Sequence, residues 1–247
     1  MIILHIGTHK TGSSSLQHFL GQARARLETR GLAYYKGTIL ADNHIDLYLS
    51  ALAPGRDSLA QHSLDLPPRT EVIHRTREAL TRFRQANPGK TLIYSSEGLS
   101  LLRSPSELDH LAGLIAPNGE KVRVVMAYRN KEAFLDAYRR QILKTPGRQP
   151  SEDPQSALYV KPDSWLADFD AVRDAYGTRF GHGALHEVDF DQEIANSGDV
   201  LPALLRAMTL PEPLLPAPRE AQRVNTSSPL NRLRQGAHKV LHLLRPG

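Results

Sequence analysis

"HIGTHKTGSSSLQHFL", residues 5–20, places two glycines, a lysine and a run of hydroxyl residues between an apolar start and a helix-periodic segment. Residues 1–6 read as a short buried strand. Over residues 13–30, Leu16, Phe19, Leu20, Ala23 and Leu27 recur at helical spacing, with Gly31 as a natural stop. The order is strand, glycine loop, helix. Gly7 and Gly12 let the backbone turn its N–H groups inward, and the helix starting near Ser13 adds its positive end. The loop is therefore read as an anion site made by Gly7, His9, Lys10, Thr11, Gly12, Ser13, Ser14 and Ser15.

Outward from this unit, strand and helix patterns alternate. Short strands are expected at residues 32–36, 90–95, 121–129 and 184–190, and helices at 44–52, 70–85, 105–115, 130–144, 162–176 and 199–208. A Pro- and Gly-bearing loop is expected at 54–68. The stretch 145–161, with three prolines and few apolar residues, is expected to be mobile or folded over a ligand. Beyond a proline-rich connector, Leu230, Leu233, Ala237, Leu241 and Leu244 share one face of a basic helix at about 228–245, expected to pack on the body. The fold class is α/β, three-layered, with a mostly parallel central sheet, helices on both faces and a P-loop NTPase-like arrangement; residues 1–247 read as a single domain.

The bulk numbers fit this picture. The 247 residues suffice for one large core, and 40% hydrophobic with 23% charged is ordinary for a globular chain. The net charge of +5 rests on 23 Arg and 8 Lys, and arginine forks suit oxyanions; the excess is too mild to argue for nucleic acid. The absence of cysteine removes disulfides, thiolate metal sites and cysteine nucleophiles. No stretch approaches the roughly 18 apolar residues of a membrane span, and the start at Met1 leaves no room for a signal peptide, so a cytoplasmic protein is expected.

The position of the lysine separates two chemistries. An NTPase loop carries its lysine after the second glycine, where this chain has Ser13, and a hydroxyl there holds Mg²⁺ with a strand-end Asp in support. Here Lys10 lies inside the loop and no clear strand-end Asp follows. "THKTGSSSLQ", residues 8–17, resembles the 5′-phosphosulfate loop of the sulfotransferases of bacterial type, in which a lysine stands one residue before a Thr/Ser-Gly-Thr/Ser cluster. The resemblance implies 3′-phosphoadenosine 5′-phosphosulfate as sulfonate donor, no required metal, and a hydroxyl or amine of a small-molecule or carbohydrate acceptor. It also implies that Lys10 clamps the charge on the leaving phosphate.

Two further segments extend the resemblance. "YRNKEAFLDAYRRQ", residues 128–141, is similar to the family's 3′-phosphate motif: Arg129 matches the strand-end arginine, whereas Ala137 stands where a serine is expected. Tyr138, Arg139 and Arg140 are candidates to compensate, or a solvated helix face. In "YSSEGLS", residues 94–100, Glu97 follows a strand end, where a carboxylate can take the proton of an acceptor hydroxyl. Sulfotransferases use glutamate or histidine in this role, which makes Glu97 the first choice and His9 and His74 its rivals; a structural cap or salt bridge is the other reading of Glu97. "RVNTSSP", residues 223–229, resembles a tail segment that approaches the nucleotide through Arg223 and Asn225. A P-loop kinase and a non-catalytic polyanion-binding module stand as alternatives; the first predicts Mg²⁺ and ATP dependence, the second no selective nucleotide binding.

Overall fold

The apolar residues behind Met1 become β1 (Ile2–His5), every one of them buried, in a computed structural model that describes residues 1–145 and 147–210. After the glycine loop come α1 (Ser13–Gln22), α2 (Arg24–Glu28) and β2 (Leu32–Tyr34). They are followed by α3 (Ile45–Ala51), α4 (Leu59–Ser63), α5 (Arg69–Gln85) and β3 (Thr91–Ser95). The second half supplies α6 (Pro105–Ile115), β4 (Val122–Tyr128), α7 (Lys131–Leu143) and α8 (Phe169–Phe180). Then come β5 (Leu185–Asp189), α9 (Phe190–Ser197) and α10 (Leu201–Ala207).

All pairings are parallel, in the order β2-β3-β1-β4-β5. Alternate residues of β1 feed two cores, as a strand covered on both faces requires. Ile2 and Leu4 pack with Leu47 of α3, Leu80 of α5, Leu111 of α6, Phe134 of α7 and Val172 of α8. Ile3 packs with Leu16 and Leu20 of α1, Leu27 of α2 and Leu204 of α10. The three-layer expectation is met. Because the strands are parallel, the segments after β1, β3 and β4 leave the sheet at the same edge.

Caps explain where the helices begin. Ser104 and Glu107 form a reciprocal capping box on α6, with Pro105 in its first turn. The Asn130 side chain accepts from Ala133 N at 3.0 Å to start α7. The helix expected over 162–176 begins later, at Phe169, because Asp168 accepts from Ala171 N at 3.0 Å; the residues just before it form a separate tight turn, Trp165–Ala167. The helix expected over 13–30 is broken at Ala23 into α1 and α2, the loop expected at 54–68 contains α4, and α9 was not foreseen. The 145–161 stretch is pinned rather than loose where Asp57 accepts from Ala157 N at 2.6 Å and Ser156 Oγ at 2.7 Å, with Ala157 and Leu158 buried. The tail reading, with Arg223, Asn225 and the basic helix, lies outside the described residues.

Glu107 is a buried acid of this framework. Its carboxylate accepts from Arg56 Nη1 at 2.7 Å, Ala53 N at 2.9 Å, Arg103 N at 3.0 Å and Ser104 N at 3.1 Å, joining the start of α6 to the loop after α3. Burial acts to raise its pKa, but the three backbone donors and Arg56 outweigh it and hold it below the ordinary value. Its stabilisation is therefore present above the unfolded-chain pKa and is lost as pH falls through the folded one. Glu107→Ala strands these donors and is expected to lower stability by about 3 kcal/mol, at the low end for a broken buried pair because Arg56 is partly exposed. Urea denaturation checks this; an unchanged midpoint contradicts it.

Candidate active site

The glycine loop leaves β1 zipped to β4: Ile6 N donates to Val125 O at 2.9 Å and Thr8 N to Ala127 O at 2.7 Å. It then turns through three residues in the left-handed region, Gly7 (φ 88°), Lys10 (φ 65°) and Gly12 (φ 89°). Gly7 packs so tightly that a Cβ there would lie 2.7 Å from Glu97 Cα. The loop and Glu97 are thus in direct contact, although 90 residues of chain separate them.

The loop hydroxyls divide into two groups. Thr11 Oγ1 and Ser13 Oγ donate back to Thr8 O at 2.7 and 3.3 Å and brace the turn. Among the described residues, the Ser14 and Ser15 side chains make no hydrogen bond and the buried Thr8 Oγ1 has no partner. No acceptor among the described residues takes the N–H groups of Thr11, Gly12, Ser13 and Ser14, and α1 has neither a side-chain cap nor an acid in its first turn. This amide-lined helix end meets the requirements of an anion site.

Lys10 donates Nζ–H to Gln141 Oε1 at 2.6 Å. Burial, then the charges of Lys144 and Arg140, lower its pKa to about 8, against the opposing pull of Glu97. Arg129 donates Nη1–H to Lys10 O at 3.2 Å, reaches Asp191 Oδ1 at 3.4 Å and lies 4.7 Å over the Phe190 ring, while its buried Nε has no partner among the described residues. Ala137, where a serine was expected, is half-buried on α7. Tyr138 is fully enclosed, stacked on Phe134 and edge-on to His9 at 5.0 Å, whereas Arg139 and Arg140 are exposed.

Glu97 opens a tight turn directly after β3. Gln17 Nε2 donates to its Oε2 at 2.9 Å, and Asn43 Nδ2 to both oxygens at 3.2 Å. Burial alone would raise its pKa; the nearby His9, the Gln17 hydrogen bond, its own backbone N–H and His5 overcome this and hold it low, so it is ionised at neutral pH. Burial in turn lowers His9 and His5 to about 4 each, so both imidazoles are neutral there.

Of the two histidines considered as rival bases, His9 lies beside Glu97 and Lys10. His74 stands exposed on α5, 3.8 Å from Glu78. The structure brings together Gly7 to Ser15, Glu97 and Arg129. Gln17, Asn43 and Asp191 were missed by sequence reasoning. Among the described residues no group of three His, Asp or Glu side chains is arranged to hold a metal ion, and no helix is long and apolar enough to cross a membrane.

No protein-family model matches the sequence. No curated protein matches it either. Among solved structures, a sulfotransferase from Alicyclobacillus acidocaldarius aligns over 96% of this chain and 90% of its own, with a TM-score of 0.55 at 13% identity. The sulfotransferase domain from the curacin biosynthetic pathway aligns over 88% of this chain and 77% of its own, with a TM-score of 0.48 at 12% identity. At such identity the first likeness establishes the fold: an α/β parallel sheet of the kind on which that sulfotransferase is built.

The contact between the loop and Glu97 can be tested by adding one methyl group. Gly31 (φ 72°) has nothing within 4 Å of a would-be Cβ, so Gly31→Ala carries only the left-handed penalty of about 1–2 kcal/mol. Gly7→Ala meets backbone as well and is expected to cost at least about 1 kcal/mol more. Equal losses in denaturant melts would show that the loop is not held against Glu97.

Proposed function

We propose that the chain is a sulfotransferase that transfers a sulfonate from 3′-phosphoadenosine 5′-phosphosulfate to a hydroxyl or amine of a small-molecule or carbohydrate acceptor, in the cytoplasm. The observation that carries this reading is the placement of Lys10 within an amide-lined loop, with the ionised Glu97 packed against Gly7 at its rim. Bound there, the donor would supply an activated sulfonate whose leaving group is a phosphate.

The residues divide the work by their chemistry. The N–H groups of Thr11 to Ser14, with the Ser14 and Ser15 hydroxyls, receive the 5′-phosphosulfate, and Gly7, His9 and Gly12 shape the loop around it. Lys10, released from Gln141, neutralises charge on the bridging oxygen; a pre-placed donor at a developing charge commonly contributes roughly 3 to 4 kcal/mol. Its pKa near 8 leaves it mostly protonated at neutral pH, and an anion beside it would favour the charged form further. Glu97 takes the acceptor proton. Arg129 reads the 3′-phosphate, and Arg223 and Asn225 of the tail complete the nucleotide contacts. A sulfonate carries less negative charge than a phosphoryl group, so the proposal needs no metal; Ser13 at the NTPase lysine position speaks against the kinase alternative.

A thermal-shift panel tests this reading. In the presence of EDTA, 3′,5′-ADP at a hundredfold excess over its dissociation constant is expected to stabilise the protein by about 2.7 kcal/mol over the unliganded state, and by more than 5′-AMP does at the same concentration. A response confined to ATP with Mg²⁺ would indicate a kinase. Stabilisation by heparin without any nucleotide response would indicate a polyanion-binding module.

A further inference from the structure

Glu97 is held by two neutral amides that reach it from different parts of the chain. Gln17 sits one turn into α1, the helix whose first turn closes the glycine loop, and donates to Oε2 at 2.9 Å. Asn43 sits in the loop ahead of α3 and donates to Oε1 and Oε2 at 3.2 Å each. The direction of the Asn43 amide is fixed by its neighbours. Ser96 Oγ donates to its Oδ1 at 2.8 Å, and an ionised carboxylate can only accept, so the nitrogen must face Glu97.

No lysine or arginine side chain forms an ion pair with Glu97 among the described residues. The other titratable groups around it are His5 on β1, His9 and Lys10 in the loop, Tyr34 on β2, Tyr48 on α3 and Tyr138 on α7. His5 and His9 are uncharged near neutrality, and burial holds the tyrosines protonated. Amides stabilise a carboxylate without cancelling its charge, so its capacity to accept a proton survives. The side-chain bonding is also asymmetric: Oε2 takes two side-chain donors and Oε1 one, which leaves Oε1 the freer oxygen on this side.

We propose that Asn43 and Gln17 are positioning residues for Glu97, two amides that keep its carboxylate ionised and oriented with Oε1 available to the cleft. This rests on the reading of Glu97 as the base, and it adds a coupling. Because Gln17 rides on α1, the helix end that would receive the donor also orients the proton acceptor.

The test is a carboxyl-¹³C NMR titration of Glu97 in the full-length protein, a readout that itself needs no acceptor substrate, for wild type, Asn43→Ala and Asn43→Asp. Loss of donors to the anion raises its pKa, so Asn43→Ala is expected to shift the Glu97 titration upward by about one unit. Asn43→Asp keeps the side-chain size and sets a like charge beside Glu97, so its shift is expected to be larger. The acid limb of kcat should move with the titration while affinity for 3′,5′-ADP is unchanged, a split that general loss of structure would not give. A titration that stays in place in both variants overturns the proposal. Full turnover by Glu97→Gln would instead overturn the base reading, and the titration would still decide whether the amides hold the anion.

Discussion

The site depends on β1 lying between β3 and β4 in parallel register. His5 is paired with Ser95 on one side and Val125 on the other, so the chain leaves β1 and β3 side by side, while β4 runs on to Tyr128 alongside the glycine loop. That register places Gly7 against Glu97 and brings Arg129 to the carbonyl of Lys10. A one-residue slip of β1 would send Ile2 and Leu4 to the opposite core and move the loop off both neighbours. Burial on both faces opposes such a slip, since every residue of the strand is enclosed. Here packing of a four-residue strand does the work of positioning a site.

Charge in the cleft follows from burial acting on neighbours of opposite sign. Desolvation silences His5 and His9 and weakens the proton affinity of Lys10, while the proximity of His9, the Gln17 hydrogen bond, its own backbone N–H and His5 keep Glu97 an anion in spite of it. The result near neutrality is one ammonium and one carboxylate at the rim of an amide-lined helix end. Lys10 rests on a neutral partner, Gln141, and is not locked to an acid, so moving it toward an anion costs one amide hydrogen bond and no ion pair. Arg129 is different. Its tie to Asp191 and its stacking on Phe190 hold the guanidinium in place beside the loop.

The parts legible in the sequence were those carried by local pattern. The apolar run, the two glycines and the 3.6-residue periodicity gave β1, the loop and α1; "KTLIYS" and "KVRVVMAYR" gave the strands that flank β1, and with them the placement of Glu97 and Arg129. What stayed hidden depends on tertiary contact. Asn43 reads as a loop asparagine and Gln17 as a polar position on an amphipathic helix; only the sheet order brings them to a carboxylate 54 and 80 residues away. Asp191 is obscured because "ALHEVDF", residues 184–190, reads as a strand and the residues after it show no clear pattern, although Asp189 caps a new helix by accepting from Gln192 N at 3.0 Å. The hydroxyls of Thr11 and Ser13 were assigned to an anion by composition, yet they bind the loop's own carbonyl. Hydroxyl residues in such a turn can satisfy the backbone or a ligand, and the sequence does not distinguish the two.

The central claim is that the loop from Gly7 to Ser15 receives a phosphosulfate with Lys10 at the transferring end. A crystal structure of the protein with 3′,5′-ADP measures this most directly. The account predicts the 5′-phosphate against the N–H groups of Thr11 to Ser14, with Lys10 Nζ moved from Gln141 to the phosphate oxygens and Glu97 still held by Gln17 and Asn43. A nucleotide bound elsewhere, or a loop that holds the phosphate while Lys10 stays on Gln141, would contradict it.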